Sequence, residues 1–343
     1  MALPMTYKAA AVTGVGQFFE LRDVALKQPG PGQVLVKVLA CGVCHSDVAL
    51  SEGEMGDVFP RVPGHELVGT VVALGPDIST LTVGERVGGA WHGGHDGTCR
   101  ACRRGQFQMC DEQLINGISQ DGGYAEYVVL RIESIIRIPN NMDPAEAAPL
   151  LCAGVTVFNG IRNMQVKQGA LVAVQGLGGL GHLAVQFARA MGYEVVVISS
   201  GSSKADFARE LGGSHYINSK ESDVVRELQK LGGASLVVQT APSPDVFSSL
   251  IYGLAVGGTI LSLATVGPVP FDTVQLVSKA LSVRGWPSGQ PLDAEETIRF
   301  AAAHGVRCMI QKYPLARVQE AIDDLKAGKP RFRNVLIMEE ATE

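Results

Sequence analysis

The sequence has little of what nucleic-acid-binding, membrane or secreted proteins contain. Its 343 residues carry a formal net charge of −5 without any cluster of lysine and arginine, so no electrostatic footprint for nucleic acid or an anionic membrane is present. The apolar runs, such as residues 195–198, have the length of strands and are far too short to span a membrane. Residues 1–8 lack the charged segment and apolar core of a signal peptide. We therefore expect a cytoplasmic protein with no nucleic-acid or membrane partner.

Charged residues are also few, at 18%, whereas hydrophobic residues reach 46%. This balance is typical of an ordered globular protein, and the length allows two domains that each bury a core. Seven cysteines are an odd number, and several lie beside histidine or at C-x2-C spacing. In a chain without a secretion signal, that pattern predicts metal binding in a reducing compartment rather than a disulfide framework.

The first 150 residues predict β-structure with many turns. Val34, Val36 and Val38 alternate with other residues, which is the pattern of a half-buried strand. Residues 88–110 show no periodicity, so we expect something other than core packing to hold them. Clusters of Gly, Pro, Asp and Asn separate the other predicted strands, which are 68–73, 83–87, 127–130 and 135–138.

Strands and helices alternate from about Pro144 onward. This alternation predicts a doubly wound parallel sheet of the Rossmann type with right-handed crossovers. After Gly289, the chain is expected to rejoin the first domain. The predicted α/β fold therefore has one domain of residues 1–153 plus 290–343, and a cofactor domain of residues 154–289. The predicted strands are 170–175, 194–199, 215–218, 235–240, 259–264, 281–286, 306–312 and 333–338, and the predicted helices are 180–191, 204–211, 294–304 and 315–327.

A glycine-rich loop follows the first strand of that cofactor domain and precedes a helix. Gly176, Gly178 and Gly181 form the pattern G-x-G-x-x-G, with Gly179 and Leu180 between them. The three glycines permit a tight turn, close approach of a pyrophosphate and close helix–strand packing, and the phosphates bind at the helix N-terminus. Glycines also mark ordinary turns, but the surrounding strand–helix units favour dinucleotide binding.

The second strand lacks the acidic residue that NAD sites use to bind the ribose 2′-hydroxyl. It ends with Ser199 and Ser200, and Lys204 follows after further serines. Hydroxyls and a lysine suit a 2′-phosphate, so NADP(H) is favoured. Because no arginine is placed to stack on the adenine, NAD is still an alternative cofactor. A further alternative is that these residues simply end a strand and begin a helix.

Cys44 and His65 provide two ligand types that zinc prefers, although two ligands alone do not hold a metal. Together with the nucleotide loop, they give the chain a resemblance to the zinc-dependent medium-chain alcohol dehydrogenases. The chain looks closest to the yeast and bacterial tetrameric branch, and its strand-end serines are similar to those of cinnamyl alcohol dehydrogenases. The resemblance implies a GroES-like catalytic domain beside the Rossmann domain. The residues that carry it are 41–47, 63–66, 122–126, 152–157 and 176–181.

The resemblance implies a catalytic zinc bound by Cys44, His65 and Cys152, with Glu66 as a carboxylate that can approach the metal. Each of these residues has a plainer reading, since a lone Cys152 would be a buried small hydrophobe and Glu66 an ordinary carboxylate. Catalytic zinc sites keep one position open for substrate. The set as a whole, beside a nucleotide loop, favours the catalytic reading.

The resemblance assigns further roles around this site. Asp47 accepts the second N–H of the ligand histidine, and Ser46 takes the proton of the alcohol. His45 and Arg333 correspond to basic residues near the cofactor pyrophosphate, although both also suit a protein surface. Ala49 stands where the family often has a histidine that completes a proton relay. The resemblance therefore implies the reaction but leaves the relay's outer end open.

A second metal site is implied by Cys99, Cys102 and Cys110, which have the spacing of the family's structural zinc lobe. Asp96 stands where the family has a fourth cysteine, and His95 is the alternative fourth ligand, since both residue types bind zinc. The remaining possibility is a metal-free loop with three buried thiols. Cys41 and Cys308 are expected in the core.

Trp91 and Met55 correspond to positions that line the family's substrate pocket, although both could simply pack in the core. An apolar pocket with one polar end suits a hydrophobic primary alcohol or aldehyde. The sequence thus predicts a zinc- and NADP(H)-dependent alcohol dehydrogenase or aldehyde reductase. The alternatives are a reductase of an imine or conjugated double bond and a non-catalytic NADP(H)-binding protein. A homodimer or homotetramer is expected, because the strand at 281–286 would otherwise leave an open sheet edge.

Overall fold

The computed structural model describes residues 3–338 of a chain that folds into two compact units. The first unit runs to Cys152 and also includes Gly289–Arg299 and the segment from Cys308 onward. The second unit contains Ala153–Ser288 and Phe300–Arg307. The chain therefore returns to the first unit after the second, and a short helical end stays with the second unit.

The chain up to Cys152 is mainly β-structure, in agreement with its alternating pattern. Two helices interrupt it, α1 (His45–Ser51) and α2 (Pro144–Ala147). The strands are β1 (Thr6–Ala11), β2 (Glu20–Ala25), β3 (Gln33–Gly42), β4 (Leu67–Leu74), β5 (Arg86–Gly89), β6 (His92–Gly94), β7 (Leu114–Ile115), β8 (Tyr127–Arg131) and β9 (Ile135–Arg137).

From Ala153, helices and strands alternate. The helices are α3 (Ala153–Asn163), α4 (Gly181–Ala190), α5 (Ala205–Glu210), α6 (Val224–Lys230), α7 (Pro244–Ser249), α8 (Thr273–Ser278), α9 (Pro291–His304) and α10 (Val318–Lys326). The strands are β10 (Leu171–Gln175), β11 (Glu194–Ser199), β12 (His215–Asn218), β13 (Ala234–Gln239), β14 (Leu254–Ser262), β15 (Ser282–Gly285), β16 (Ile310–Pro314) and β17 (Arg333–Ile337).

The sheet of the first unit is organised around β3. Its first half pairs with β8, its second half pairs with β17, and β4 lies along its other edge, all antiparallel. The pairs Cys41↔Leu67 and Val335↔Gly42 bring together three segments that are distant in sequence. The end of β3, the start of β4 and the start of β17 therefore meet at one place.

The second unit is the predicted Rossmann sheet. Its six strands are all parallel, in the order β12-β11-β10-β13-β14-β15, which is the order of the doubly wound dinucleotide-binding fold. β11 and β12 have the predicted bounds because the apolar residues of each strand end in a polar one, Ser199 and Asn218. β15 lies at the edge of the sheet, as expected.

Several predicted strands are displaced in the structure. β5 begins at Arg86 rather than 83, because Val83 is 62% exposed and the next residue, Gly84, turns with φ +97°. β14 begins five residues before the predicted 259 and contains an irregular register. β16 begins at Ile310 rather than 306, since residues 306–309 are buried in part without joining the parallel ladder.

β3 is also more buried than a half-buried strand, because Val34, Leu35 and Val36 are all within the core. Sequence patterns did not indicate β1, β2, β6, β7 or α1. Within residues 3–338, no helix is long and apolar enough to cross a membrane.

Candidate metal and cofactor sites

Helix α1 places three of the predicted site residues at its start. Cys44 immediately precedes the helix, and its backbone N–H donates to the Asp47 carboxylate at 2.8 Å. This bond satisfies one free N–H of the helix start, as a capping residue does. The Ser46 hydroxyl lies 3.6 Å from the Cys44 sulfur. A short helix with no apolar periodicity is thus fixed by its polar side chains.

Cys44, His65, Glu66 and Cys152 converge in the first unit. One potential ligand atom from each lies within 4.8 Å of all the others. The two sulfur atoms are 4.0 Å apart, close to the separation of about 3.8 Å for two thiolates on a tetrahedral zinc with Zn–S near 2.3 Å. Both ring nitrogens of His65 and Oε2 of Glu66 are buried without a hydrogen-bond partner. This donor set fits a zinc ion.

Asp47 faces the histidine of this cluster. Its Oδ1 lies 3.6 Å from His65 Nδ1, with both side chains fully buried, which leaves Nε2 for a metal. Burial lowers the pKa of His65, but the Asp47 carboxylate and the neighbouring Cys44 together raise it, so that the pKa lies well above its usual value. The ring of Trp91 contacts His65 edge-on at 5.0 Å between centroids.

The two thiols of the cluster differ in pKa. A hydrogen bond from Cys152 holds the pKa of Cys44 well below its usual value, and the same bond raises the pKa of Cys152. In the metal-free protein Cys44 is therefore the more acidic partner. Zinc requires both as thiolates, so that binding the metal releases protons.

Arg333 lies in a different environment from the one expected of a pyrophosphate ligand. Its guanidinium is buried and donates to Oε1 of Glu66. Burial raises the pKa of Glu66 to about 8, although the charge of Arg333 opposes this shift. Burial lowers the pKa of Arg333, but the charge of Glu66 and of nearby cysteines raises it above its usual value. Arg333 thus holds one carboxylate oxygen, while the other is buried without a hydrogen-bond partner. Its contact with pyrophosphate stays a prediction.

The second cysteine cluster also assembles. Ligand atoms of Asp96, Cys99, Cys102 and Cys110 lie within 4.8 Å of one another. The sulfurs of Cys99 and Cys110 are 3.9 Å apart, and Asp96 Oδ2 lies 3.4 Å from the Cys110 sulfur. Two short 3-10 turns carry the loop, Cys102–Arg104 and Phe107–Met109. Little regular structure holds this loop, which is what a metal-held lobe predicts.

Asp96, rather than His95, points into this cluster. Oδ1 of Asp96 accepts from the N–H of Thr98 at 2.5 Å and of Cys99 at 2.8 Å. These two backbone bonds hold the pKa of Asp96 well below its usual range, and the bond from Cys99 has the larger effect. His95 instead stacks on Phe107 at 4.1 Å, outside the cluster. Of the two alternatives, the geometry favours the carboxylate.

The glycine-rich loop has the geometry that the pattern requires. Gly176 turns with φ +99° at the end of β10. A side chain at Gly181 would place its Cβ 1.9 Å from the carbonyl oxygen of Gly176, so only glycine allows α4 to begin so close to the strand. A Cβ at Gly178 would meet nothing within 4 Å. That open space suits the approach of a pyrophosphate to the backbone.

The end of β11 also keeps the predicted polar residues together. Ser199 is buried at the strand end, Ser200 is exposed, and Lys204 is partly buried at the start of α5. Gly201 adopts φ +88°, and its N–H donates to Asn218 Oδ1 at 2.9 Å. Asn218 fixes the turn that presents these side chains, a role that the sequence did not indicate.

The remaining predicted residues are placed less specifically. Trp91 and Met55 are partly buried and pack against the core of the first unit, and the Trp91 ring contacts His65 of the metal cluster. His45 is exposed in the first turn of α1, and Ala49 is partly buried near its end. Their proposed contacts with substrate and cofactor stay predictions.

Sequence reasoning missed Tyr124, although its segment 122–126 contributed to the resemblance. The side chain is fully buried, and its hydroxyl donates to Asp47 at 2.9 Å. Burial, and then the Asp47 charge, raise the pKa of Tyr124 well above its usual value, so the phenol is a hydrogen-bond donor. A tyrosine directly after two glycines was the only available signal.

The chain has a six-stranded Rossmann unit, and its other unit carries a Cys/His/Cys metal cluster and a cysteine lobe. This combination is that of a zinc-containing dehydrogenase. Residues 30–140 match the family model of the alcohol dehydrogenase GroES-like domain, and residues 179–303 match that of the zinc-binding dehydrogenases. The chain belongs to the zinc-dependent medium-chain alcohol dehydrogenase family. The predicted family and fold class are thereby confirmed.

Individual relatives agree with this assignment over nearly their whole lengths. The chain is 51% identical over 335 residues to the alcohol dehydrogenase patD of Penicillium expansum, covering 98% of each protein. A cinnamyl alcohol dehydrogenase of Sorghum bicolor superimposes with a TM-score of 0.89 at 28% identity, covering 98% of this chain and 100% of that one. A putative zinc-binding dehydrogenase of Sinorhizobium meliloti bound to NADP gives 0.88 at 26% identity, covering 97% and 100%.

The chain is therefore an oxidoreductase, a zinc-containing alcohol dehydrogenase that uses a nicotinamide cofactor. Its substrate is a small-molecule alcohol or aldehyde.

Proposed function

We propose that the enzyme interconverts a hydrophobic primary alcohol and its aldehyde with NADP(H) as the preferred cofactor. The cofactor preference rests on the end of β11, where Ser199, Ser200 and Lys204 lie without a neighbouring carboxylate on that strand. The strand-end serines resemble those of cinnamyl alcohol dehydrogenases, and one structural relative is bound to NADP.

The proposed metal ligands are Cys44, His65 and Cys152. When bound, zinc would polarise the alcohol or aldehyde oxygen, and the nicotinamide would exchange the hydride. Glu66 is held by Arg333 through one oxygen, and its second oxygen has no hydrogen-bond partner. It is the carboxylate that would approach the metal during ligand exchange.

Proton movement is assigned to the protein's own hydroxyl. Ser46 Oγ lies 3.6 Å from the sulfur of the proposed zinc ligand Cys44, and we propose that it accepts the alcohol proton. Ala49 carries no group that can accept a proton further along. Proton release from Ser46 therefore follows a route that does not use the side chain at position 49.

The function is tested by a panel of primary alcohols and aldehydes assayed with NADP⁺/NADPH and NAD⁺/NADH. We expect benzylic and longer aliphatic alcohols to be oxidised, with the highest kcat/KM for NADP⁺. Enals and cyclic imines belong in the same panel. Reduction of those compounds, without activity on any alcohol or aldehyde, would select the imine or double-bond reductase instead.

Replacing Ser200 by aspartate is expected to reverse the cofactor preference. The new carboxylate would repel a 2′-phosphate and accept the 2′-hydroxyl of NAD. Loss of a hydrogen bond to a charged group costs about 1.5–3 kcal/mol, so kcat/KM for NADP⁺ should fall about 10- to 100-fold, and Lys204→Ala should also lower it. Lys230→Ala, an exposed lysine paired with Glu227, is the matched control. An unchanged NADP⁺/NAD⁺ ratio in Ser200→Asp would contradict the proposal.

We further propose that the enzyme is a homodimer or homotetramer associated through the edge of the Rossmann sheet. β15 leaves one side unpaired within the described residues, and Val256, Val274 and Val277 are 81%, 68% and 83% exposed. Exposed apolar groups beside an open edge are typical of an interface.

The oligomer proposal predicts that Val256→Asp combined with Val277→Asp yields monomers. Burying two carboxylates in an apolar interface is unfavourable, so the mass measured by light scattering should fall to that of one chain. Val83→Asp, at a valine of the first unit that is 62% exposed, should leave the mass unchanged. An unchanged mass in the double variant would place the interface elsewhere.

A further inference from the structure

Tyr124 makes a buried hydrogen bond behind the proposed zinc site. Its hydroxyl donates to Oδ2 of Asp47 at 2.9 Å, across 77 residues of sequence. The same oxygen accepts the backbone N–H of Cys44 at 2.8 Å, and Oδ1 accepts that of Gly64 at 3.3 Å. Oδ1 also faces His65 Nδ1. The carboxylate is therefore held by three donors while one oxygen faces the histidine.

The backbone around Tyr124 fixes the tyrosine against the histidine segment. Residues 122–124 donate their three N–H groups to the carbonyl oxygens of residues 62–64, at 2.7–3.0 Å. Gly64 adopts φ +102°, and a Cβ there would lie 2.5 Å from the Tyr124 ring. The ring thus packs directly on the turn that precedes His65, so the hydroxyl has little freedom to move from Asp47.

We propose that Tyr124 is a positioning residue of the catalytic zinc site, whose hydroxyl holds the Asp47 carboxylate in the orientation that faces His65 and thereby slows loss of the metal. The inference rests on the proposed ligand role of His65. Without the hydroxyl, Oδ2 keeps only the Cys44 N–H, and the carboxylate can turn away from the histidine. Outer partners of metal ligands change metal affinity by about 10- to 100-fold when removed.

A purely structural role for this buried tyrosine is the competing explanation, and the chain contains a matched control. Tyr313 is also buried in the first unit, and its hydroxyl donates to Asp324 at 2.7 Å. Asp324 belongs to neither metal cluster. Tyr124→Phe and Tyr313→Phe each remove one phenol–carboxylate bond of a buried tyrosine. Both should lower the melting temperature, but only the first should affect zinc.

The test measures zinc release from fully loaded protein mixed with excess 4-(2-pyridylazo)resorcinol, a coloured zinc chelator. The phase that is missing in Cys44→Ala belongs to the catalytic site. We expect Tyr124→Phe to accelerate that phase about tenfold, the lower end of the range for outer partners, and to leave the other phase unchanged. Tyr313→Phe should match the wild type in both phases. Equal acceleration by both variants, or none by Tyr124→Phe, would overturn the proposal.

A double variant tests whether Tyr124 acts through Asp47. In an Asp47→Ala background, which lacks the acceptor of the Tyr124 hydroxyl, adding Tyr124→Phe should change the zinc-release rate by less than about twofold, because coupled residues are not additive. A full tenfold effect in that background would show that Tyr124 acts by another route, and would overturn the inference. Zinc release needs no substrate, so failure of the proposed alcohol and cofactor preferences would be recognised separately.

Discussion

The variant Cys44→Ala is expected to lose one of about two zinc ions per chain and at least about 1000-fold in alcohol turnover. Only His65, Cys152 and Glu66 would remain in the cluster, and the close pair of sulfurs, 4.0 Å apart, would be broken. Polarisation of the substrate oxygen by a metal is worth several kcal/mol, and about 4 kcal/mol corresponds to roughly 1000-fold in rate. Metal content and kcat/KM should be measured on the same sample.

Cys308→Ala is the appropriate control for this loss. Cys308 is a buried cysteine that belongs to neither metal cluster. Its replacement should keep both zinc ions and turnover within a few-fold of the wild type. A Cys44→Ala protein that folds, lacks one zinc and still oxidises alcohols at the wild-type rate would refute a catalytic role for this metal.

The second large effect is expected on stability, in Cys102→Ala. The loop around Asp96, Cys99, Cys102 and Cys110 has little regular structure, and metal binding in such a lobe is part of its folding free energy. Loss of a structural metal is among the few changes that cost more than about 4 kcal/mol, which corresponds to about 10 °C in melting temperature for a unit of this size. Zinc should fall from about two to one per chain.

Asp96→Asn and His95→Ala identify the fourth ligand of this lobe. Asparagine keeps an oxygen that can accept from Thr98 and Cys99 but removes the negative charge facing Cys110. We expect Asp96→Asn to release this zinc readily and His95→Ala to retain it. The reverse result would assign the metal to the histidine. A wild-type protein with only about one zinc per chain would exclude the structural site altogether.

The Rossmann unit is the part of the fold that local sequence patterns predict best. The bounds of β11 and β12 follow from apolar residues that end in Ser199 and Asn218, and the glycine spacing places the loop from 176 to 181. β16 was predicted four residues early because Val306 and Cys308 are apolar and buried, yet lie outside the ladder. Hydrophobicity indicates burial but does not specify pairing.

In the candidate site, too, residue types were predictable from the sequence but spatial pairings were not. Cys44, His65 and Cys152 were found by residue type and by resemblance, without any knowledge of distance. The bonds Arg333–Glu66 and Tyr124–Asp47 join residues separated by 267 and 77 positions. They depend on strand pairing in the first unit, which no local pattern reports, so the roles of Arg333 and Tyr124 became visible only in the structure.

Zinc titration of chelator-treated protein tests whether catalysis requires the metal held by Cys44, His65 and Cys152. Protein from which the catalytic zinc has been removed, with folding verified by circular dichroism, is assayed for benzyl alcohol oxidation with NADP⁺ as zinc is returned. We expect negligible turnover before zinc is added. Turnover should then rise linearly with added zinc and stop rising when the cluster of Cys44, His65 and Cys152 is filled. Full turnover by the folded, zinc-depleted protein, or none after complete reloading, would contradict this expectation.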